Sequence, residues 1–111
     1  MKVETLPPLL EELVEVVPTT LPFLKISTCE VTNAKTNNEF TGVMFEYRNQ
    51  KNIPEGYCTA LSIGIDIDKV IFAIHCVGMD DMVMYKDLEN VSSKDLLSLL
   101  HQSMVSPDLI S

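Results

Sequence analysis

The spacing of apolar residues along the chain changes period twice. Leu10, Leu13, Val14 and Val17 fall at i, i+3, i+4 and i+7, which is one stripe of an α-helix, and the pattern predicts a helix over residues 6–17. Thr5 reads as its N-cap, Pro7 and Pro8 suit the first turn, and Pro18 is expected to end it. Glu11, Glu12 and Glu15 lie off the stripe and give the helix an acidic outer face.

From residue 23 to 89 the period shortens. The segments 23–32, 40–48, 57–66, 69–77 and 82–85 are rich in β-branched and aromatic residues and are separated by Asn-, Pro-, Gly- and Asp-containing turns. Connections this short cannot cross over to a parallel neighbour. An antiparallel meander of four or five strands is therefore expected. In segment 57–66 the even positions Cys58, Ala60, Ser62 and Gly64 form a row of small side chains, which lets a helix or another sheet approach closely, the C-terminal helix being a candidate. Segment 69–77 is apolar on both faces and is expected to be covered on both. The first strand changes phase, with Leu24 and Ile26 even but Cys29 and Val31 odd, which predicts a bulge near Ser27–Thr28.

The helical period returns over residues 92–105. Ser92 and Asp95 have the spacing of a capping box, Val91 and Leu96 that of a hydrophobic staple, and Pro107 bars continuation. The predicted fold is a single α+β domain spanning residues 1–111: an antiparallel sheet at about 23–89 flanked by an N-terminal and a C-terminal helix.

Composition narrows the function. The 111 residues are 46% apolar, which excludes a disordered tail. Sixteen acids against eight bases give a net charge of −8, so a grip on phosphate backbones is excluded. The longest unbroken apolar run, Val70 to Ile74, is too short for a signal-peptide core or a membrane span. Three widely spaced cysteines do not resemble the dense, even set of a small secreted domain, and a cytoplasmic protein is expected.

Chemistry-bearing residues are few. Cys29, Cys58 and Cys76 lack zinc-ligand spacing, and His75 and Cys76, adjacent on a strand, face opposite ways. Cys58 and His75 sit on neighbouring strands, where a core thiol and a hydrogen-bonded imidazole are expected rather than a catalytic pair. Asp66 and Asp68 are separated from Asp80 and Asp81 by a strand of roughly 30 Å, and the first pair breaks the calcium-loop pattern. All four read as turn carboxylates. Glycine-rich phosphate loops and the serine-esterase elbow do not occur. No cofactor and no metal is expected.

Met79, Met82 and Met84 with Tyr85 cluster around the last, short strand. Thioethers adapt to irregular partners, and an edge strand can accept another strand. Together with Glu11, Glu12 and Glu15 these are the candidate partner-binding residues. Leu, Val, Ile, Met and Phe make up over a third of the chain, more than a small monomer hides comfortably. The expectation is a non-enzymatic protein-binding module, a chaperone or adaptor that holds a partner polypeptide with basic or apolar segments and forms a homodimer, with no nucleic-acid or membrane partner. An acidic inhibitor or immunity-type protein that blocks a basic toxin or nuclease is the first alternative. An enzyme using His75 or the turn aspartates is the second.

Overall fold

A computed structural model of the chain describes residues 6–49, 53 and 55–104. Its elements are α1 (Pro8–Thr20), β1 (Leu24–Asn33), β2 (Asn38–Tyr47), β3 (Cys58–Asp66), β4 (Lys69–Cys76), β5 (Met82–Asp87), a 3₁₀ turn (Leu88–Asn90) and α2 (Ser93–Ser103). The strands form one antiparallel sheet in the order β1-β2-β3-β4-β5, the meander that the short loops dictate. The fold is α+β, as expected. The expected cap Thr5 is corrected, because α1 starts at Pro8 with Pro7 at its N-cap position and no side-chain cap. The Pro7 carbonyl accepts the first helical bonds, from Leu10 and Glu11. The stop Pro107 lies outside the described residues, as do Thr5 itself and Asn52 and Pro54 of the β2–β3 connection.

Both helices cover one face of the sheet. Leu10, Leu13 and Val17 of α1 and Leu96 and Leu100 of α2 are buried against Leu24, Phe45, Leu61, Ile63, Val70 and Phe72. The two helices also touch each other, and Ser93 Oγ donates to Glu12 Oε1 at 3.2 Å. The start of α2 is capped as its sequence predicts. Ser92 Oγ accepts from the Asp95 backbone N–H, and the Asp95 carboxylate accepts from the Ser92 N–H at 2.9 Å. Hydrogen bonds from Ser92 hold the Asp95 carboxyl below its ordinary value.

Three further expectations about local structure are corrected. Pro18 does not end α1, which runs on to Thr20 with Pro18 in its last turn. Leu21 N–H still reaches the Val17 carbonyl at 2.7 Å, and Thr20 Oγ1 donates to the Val16 carbonyl. Pro18 forfeits only its own N–H bond to the carbonyl four residues before it, and the Leu21–Val17 bond still closes the last turn. No bulge interrupts β1 near Ser27–Thr28, because its register with β2 is continuous from Leu24↔Tyr47 to Asn33↔Asn38. The apolar phase switches because β1 buries Leu24 on the helix face and Val31 on the opposite face. The bulge is instead in β3, where Cys58 opposes Cys76 and Ala60 opposes His75, leaving Thr59 as the extra residue.

The third correction concerns the small-residue row. The bulge turns Cys58 to the helix side, while Ala60, Ser62 and Gly64 face away from the helices. Their small size serves a curl of the sheet onto itself. A side chain at Gly64 would strike the Phe40 ring and Val31, and one at Gly42 would meet the Ile63 carbonyl oxygen at 2.6 Å. Val31 and Phe40 of the β1–β2 hairpin thus lie over the glycines of neighbouring strands. This explains why Ile71 is buried on a face that carries no helix.

Candidate functional site

The expected partner-binding cluster is divided by the alternation of β5. Met82 and Met84 face the helix side, where Met84 packs against the core, while Val83 and Tyr85 face the concave side. Met79, in the preceding turn, is 55% exposed, and Met82 and Val83 are 49% and 47% exposed. Between β5 and α2 runs a cleft of about 340 Å³ floored by Phe72 and Met84 and walled by Leu96 and Leu99. A second cleft, of about 300 Å³, shares Gln102 with it and reaches Tyr57, Cys58, Cys76 and Met82.

The hydrogen-bonding direction of β5 follows from one bond. Leu88 N–H donates to the Asp68 carbonyl at 2.9 Å, and these residues continue the register in which Lys86 opposes Val70. In an antiparallel ladder hydrogen-bonded and non-hydrogen-bonded pairs alternate. Met82, Met84 and Lys86 therefore bond to β4, and the N–H and C=O groups of Val83, Tyr85 and Asp87 point outward. Among the described residues no strand pairs with that outer side.

On the concave face, the tip of the β1–β2 hairpin is tied down at one end of the sheet. Asp66 is only 8% exposed, and its carboxylate accepts from Asn33 Nδ2 at 2.8 Å, Thr36 Oγ1 at 3.1 Å and Asn38 Nδ2 at 3.3 Å. Lys35 Nζ lies 4.5 Å from the centroid of the Tyr85 ring, so the tip reaches β5. Asp66 is thus a buried clasp rather than an ordinary turn carboxylate. The Tyr85 ring is engaged by that clasp instead of joining the methionines. Lys69 and Asp87, opposed across β4 and β5, pair beside it, and this bond to Asp87 raises the Lys69 pKa.

At the other end of the same face, His75 Nδ1 is 3.0 Å from Asp81 Oδ2 and His75 Nε2 is 3.4 Å from Ser62 Oγ. The order carboxylate–imidazole–hydroxyl is that of an acyl-transfer relay. Ser62, however, is buried in mid-strand and paired on both sides, to Met44 and to Ala73. The local backbone is thereby committed to the ladder, whereas acyl transfer needs free donors aimed at a developing oxyanion. The two contacts orient the His75 ring between Asp81 and Ser62. Cys58 lies on the opposite face from His75, so the two form no nucleophile–base pair. Burial pushes the Cys58 thiol up to about 11, the reverse of activation.

Glu11, Glu12 and Glu15 are exposed on α1, Glu12 bonded to Ser93 as above. Among the described residues no group of three or more His, Cys, Asp or Glu side chains is placed to hold a metal ion, and no helix is long and apolar enough to cross a membrane. Searches of protein-family models, curated proteins and solved structures match this chain to none of them.

Proposed function

We propose that this protein is a non-enzymatic binding module that holds a partner polypeptide by strand addition at β5, in the manner of a small cytoplasmic chaperone or adaptor. The observation that carries this reading is the outward-facing set of backbone groups at Val83, Tyr85 and Asp87, beside exposed Met79 and Met82. An added strand gains backbone hydrogen bonds, and its alternate side chains meet the flexible thioethers and the cleft along α2. Asp80, Asp81 and Asp87 flank the edge in a chain of net charge −8, which favours a basic segment.

Without a partner, the edge pairs with that of a second copy. A two-fold axis through Val83 sets Met82 opposite Met84 and Asp80 opposite Lys86 on both sides, a self-complementary arrangement of apolar centre and charged ends.

The test is suppression of aggregation of reduced, unfolding lysozyme, a basic chain, followed by light scattering. Wild type is expected to suppress it near stoichiometry. Val83→Pro removes an outward N–H and no bond to β4, and is expected to lose the effect while retaining the far-ultraviolet spectrum. A fully active Val83→Pro variant, or an inactive wild type, overturns the reading. The inhibitor alternative rests on exposed Glu11 and Glu15 of α1. It predicts that Glu11→Lys with Glu15→Lys, rather than Val83→Pro, abolishes binding to the basic target.

A further inference from the structure

Cys58 and Cys76, 18 positions apart in the chain, are directly opposed across β3 and β4. The type of pair they make follows from the ladder. Val77 N–H donates to the Tyr57 carbonyl at 3.1 Å, so the neighbouring Cys58–Cys76 position is the non-hydrogen-bonded kind. At such positions the Cα atoms stand about 4.5 Å apart and the side chains approach most closely. That separation lies inside the roughly 4.4–6.8 Å range that disulfides span. Both thiols are free, and both lie on the helix side, Cys58 buried in the core and Cys76 half-buried against it. Cys29 is on the opposite face, hydrogen-bonded with Ser62, and cannot reach either.

Two further features bear on access and slack. The cleft of about 300 Å³ that meets Tyr57 and Met82 is lined by both cysteines, so a small thiol reagent has a way in. The extra residue, Thr59, follows Cys58 directly and lets the end of β3 adjust without breaking the rest of the ladder.

We propose that Cys58 and Cys76 are a reversible dithiol–disulfide site that is oxidised by low-molecular-weight disulfides of the glutathione class. The Cys76 thiolate, the more exposed of the two, attacks one sulfur of oxidised glutathione. A mixed disulfide forms and one glutathione thiolate leaves. Cys58 then loses its proton and attacks the Cys76 sulfur, closing the intramolecular bond and expelling the second glutathione. Two thiols have become one disulfide, two electrons have passed to the glutathione disulfide, and the two protons end on the released thiols. The second step accelerates with rising pH, because burial holds the Cys58 proton.

The site is independent of strand addition at β5, and its test uses neither a partner nor the edge. Native protein is incubated with oxidised glutathione, quenched with acid, alkylated and digested with trypsin, which separates Cys58 (peptide 52–69) from Cys76 (peptide 70–86). The expected result is an intact mass lower by two hydrogens before alkylation, the two peptides joined and Cys29 alkylated after it, and full reversal by dithiothreitol. Cys29→Ser is expected to keep the link and Cys76→Ser to lose it. Recovery of Cys58 and Cys76 as free thiols or as stable glutathione adducts overturns the proposal, as does linkage only between molecules through Cys29.

Discussion

Ile67 has φ +54° in the two-residue turn joining β3 to β4, and it is 83% exposed. That conformation is one a hairpin turn ordinarily gives to glycine, and a β-branched residue held there costs roughly 1–3 kcal/mol. Its side chain gains almost no burial in return. Ile67→Gly is therefore expected to stabilise the protein by about 1 kcal/mol in urea unfolding, part of the relief being offset by glycine's freedom in the unfolded chain. Cys58 and Tyr47 give a second prediction at this scale. Burial raises the thiol from 9.0 to about 11 and the phenol from 10.0 to about 12. A group whose folded pKa is raised supports folding below its unfolded value and stops doing so as pH climbs through the folded one. Stability is expected to be flat below pH 9 and to decline between about 9 and 12, chiefly on these two groups. Replacing Cys58 by Ala should reduce the first part of that decline, the remainder coming from Cys29, whose thiol burial also raises.

Between elements, the Asp66 clasp and the glycine approach hold the β1–β2 hairpin over the rest of the sheet. Asp66→Ala strips the acceptor from Asn33, whose buried amide is left without that partner, and is expected to cost about 2–3 kcal/mol. Asp66→Asn, which keeps one acceptor oxygen, should cost less. Gly42→Ala forces a methyl against the Ile63 carbonyl, part of the backbone, whereas Gly64→Ala meets the Phe40 ring, which can turn. Both overpack the face at about 1–3 kcal/mol, and only the Gly64 change should be relieved by a second substitution, Phe40→Leu. Much of this architecture was legible in the sequence. The strand count, the meander, both helices and the Ser92–Asp95 cap follow from periodicity and turn residues. The curl does not, because it depends on which glycine lies under which ring across strands. The site was legible only in part. Placing Asp66 opposite Lys69 in the tight hairpin carries Ser62 to Ala73 and Ala60 to His75, so the neighbourhood of Ser62 and His75 could have been read from register. The one-residue bulge at Thr59 breaks that count, and it is what hides the pairing of Cys58 with Cys76.

For the whole molecule, the two proposed uses of β5 are expected to respond to salt with opposite sign. Two copies each of net charge −8 repel, and added salt screens that repulsion, the Debye length falling from about 30 Å at 0.01 M to about 8 Å at 0.15 M. Self-association is expected to strengthen over this range in sedimentation equilibrium, and Val83→Pro to sediment as a monomer throughout. Capture of a basic chain should weaken over the same range, mainly through its on-rate. The meeting of α1 with α2 has a consequence for synthesis. Ser93 touches Glu12 across 81 positions, and α2 is the last described element. During translation the strands can pair in turn as they leave the ribosome, each with its immediate predecessor. Their apolar face, covered in part by Leu10, Leu13 and Val17 of α1, stays half-roofed until Leu96 and Leu100 of α2 emerge. The step that commits these elements to the native state is the docking of α2, after every strand has paired.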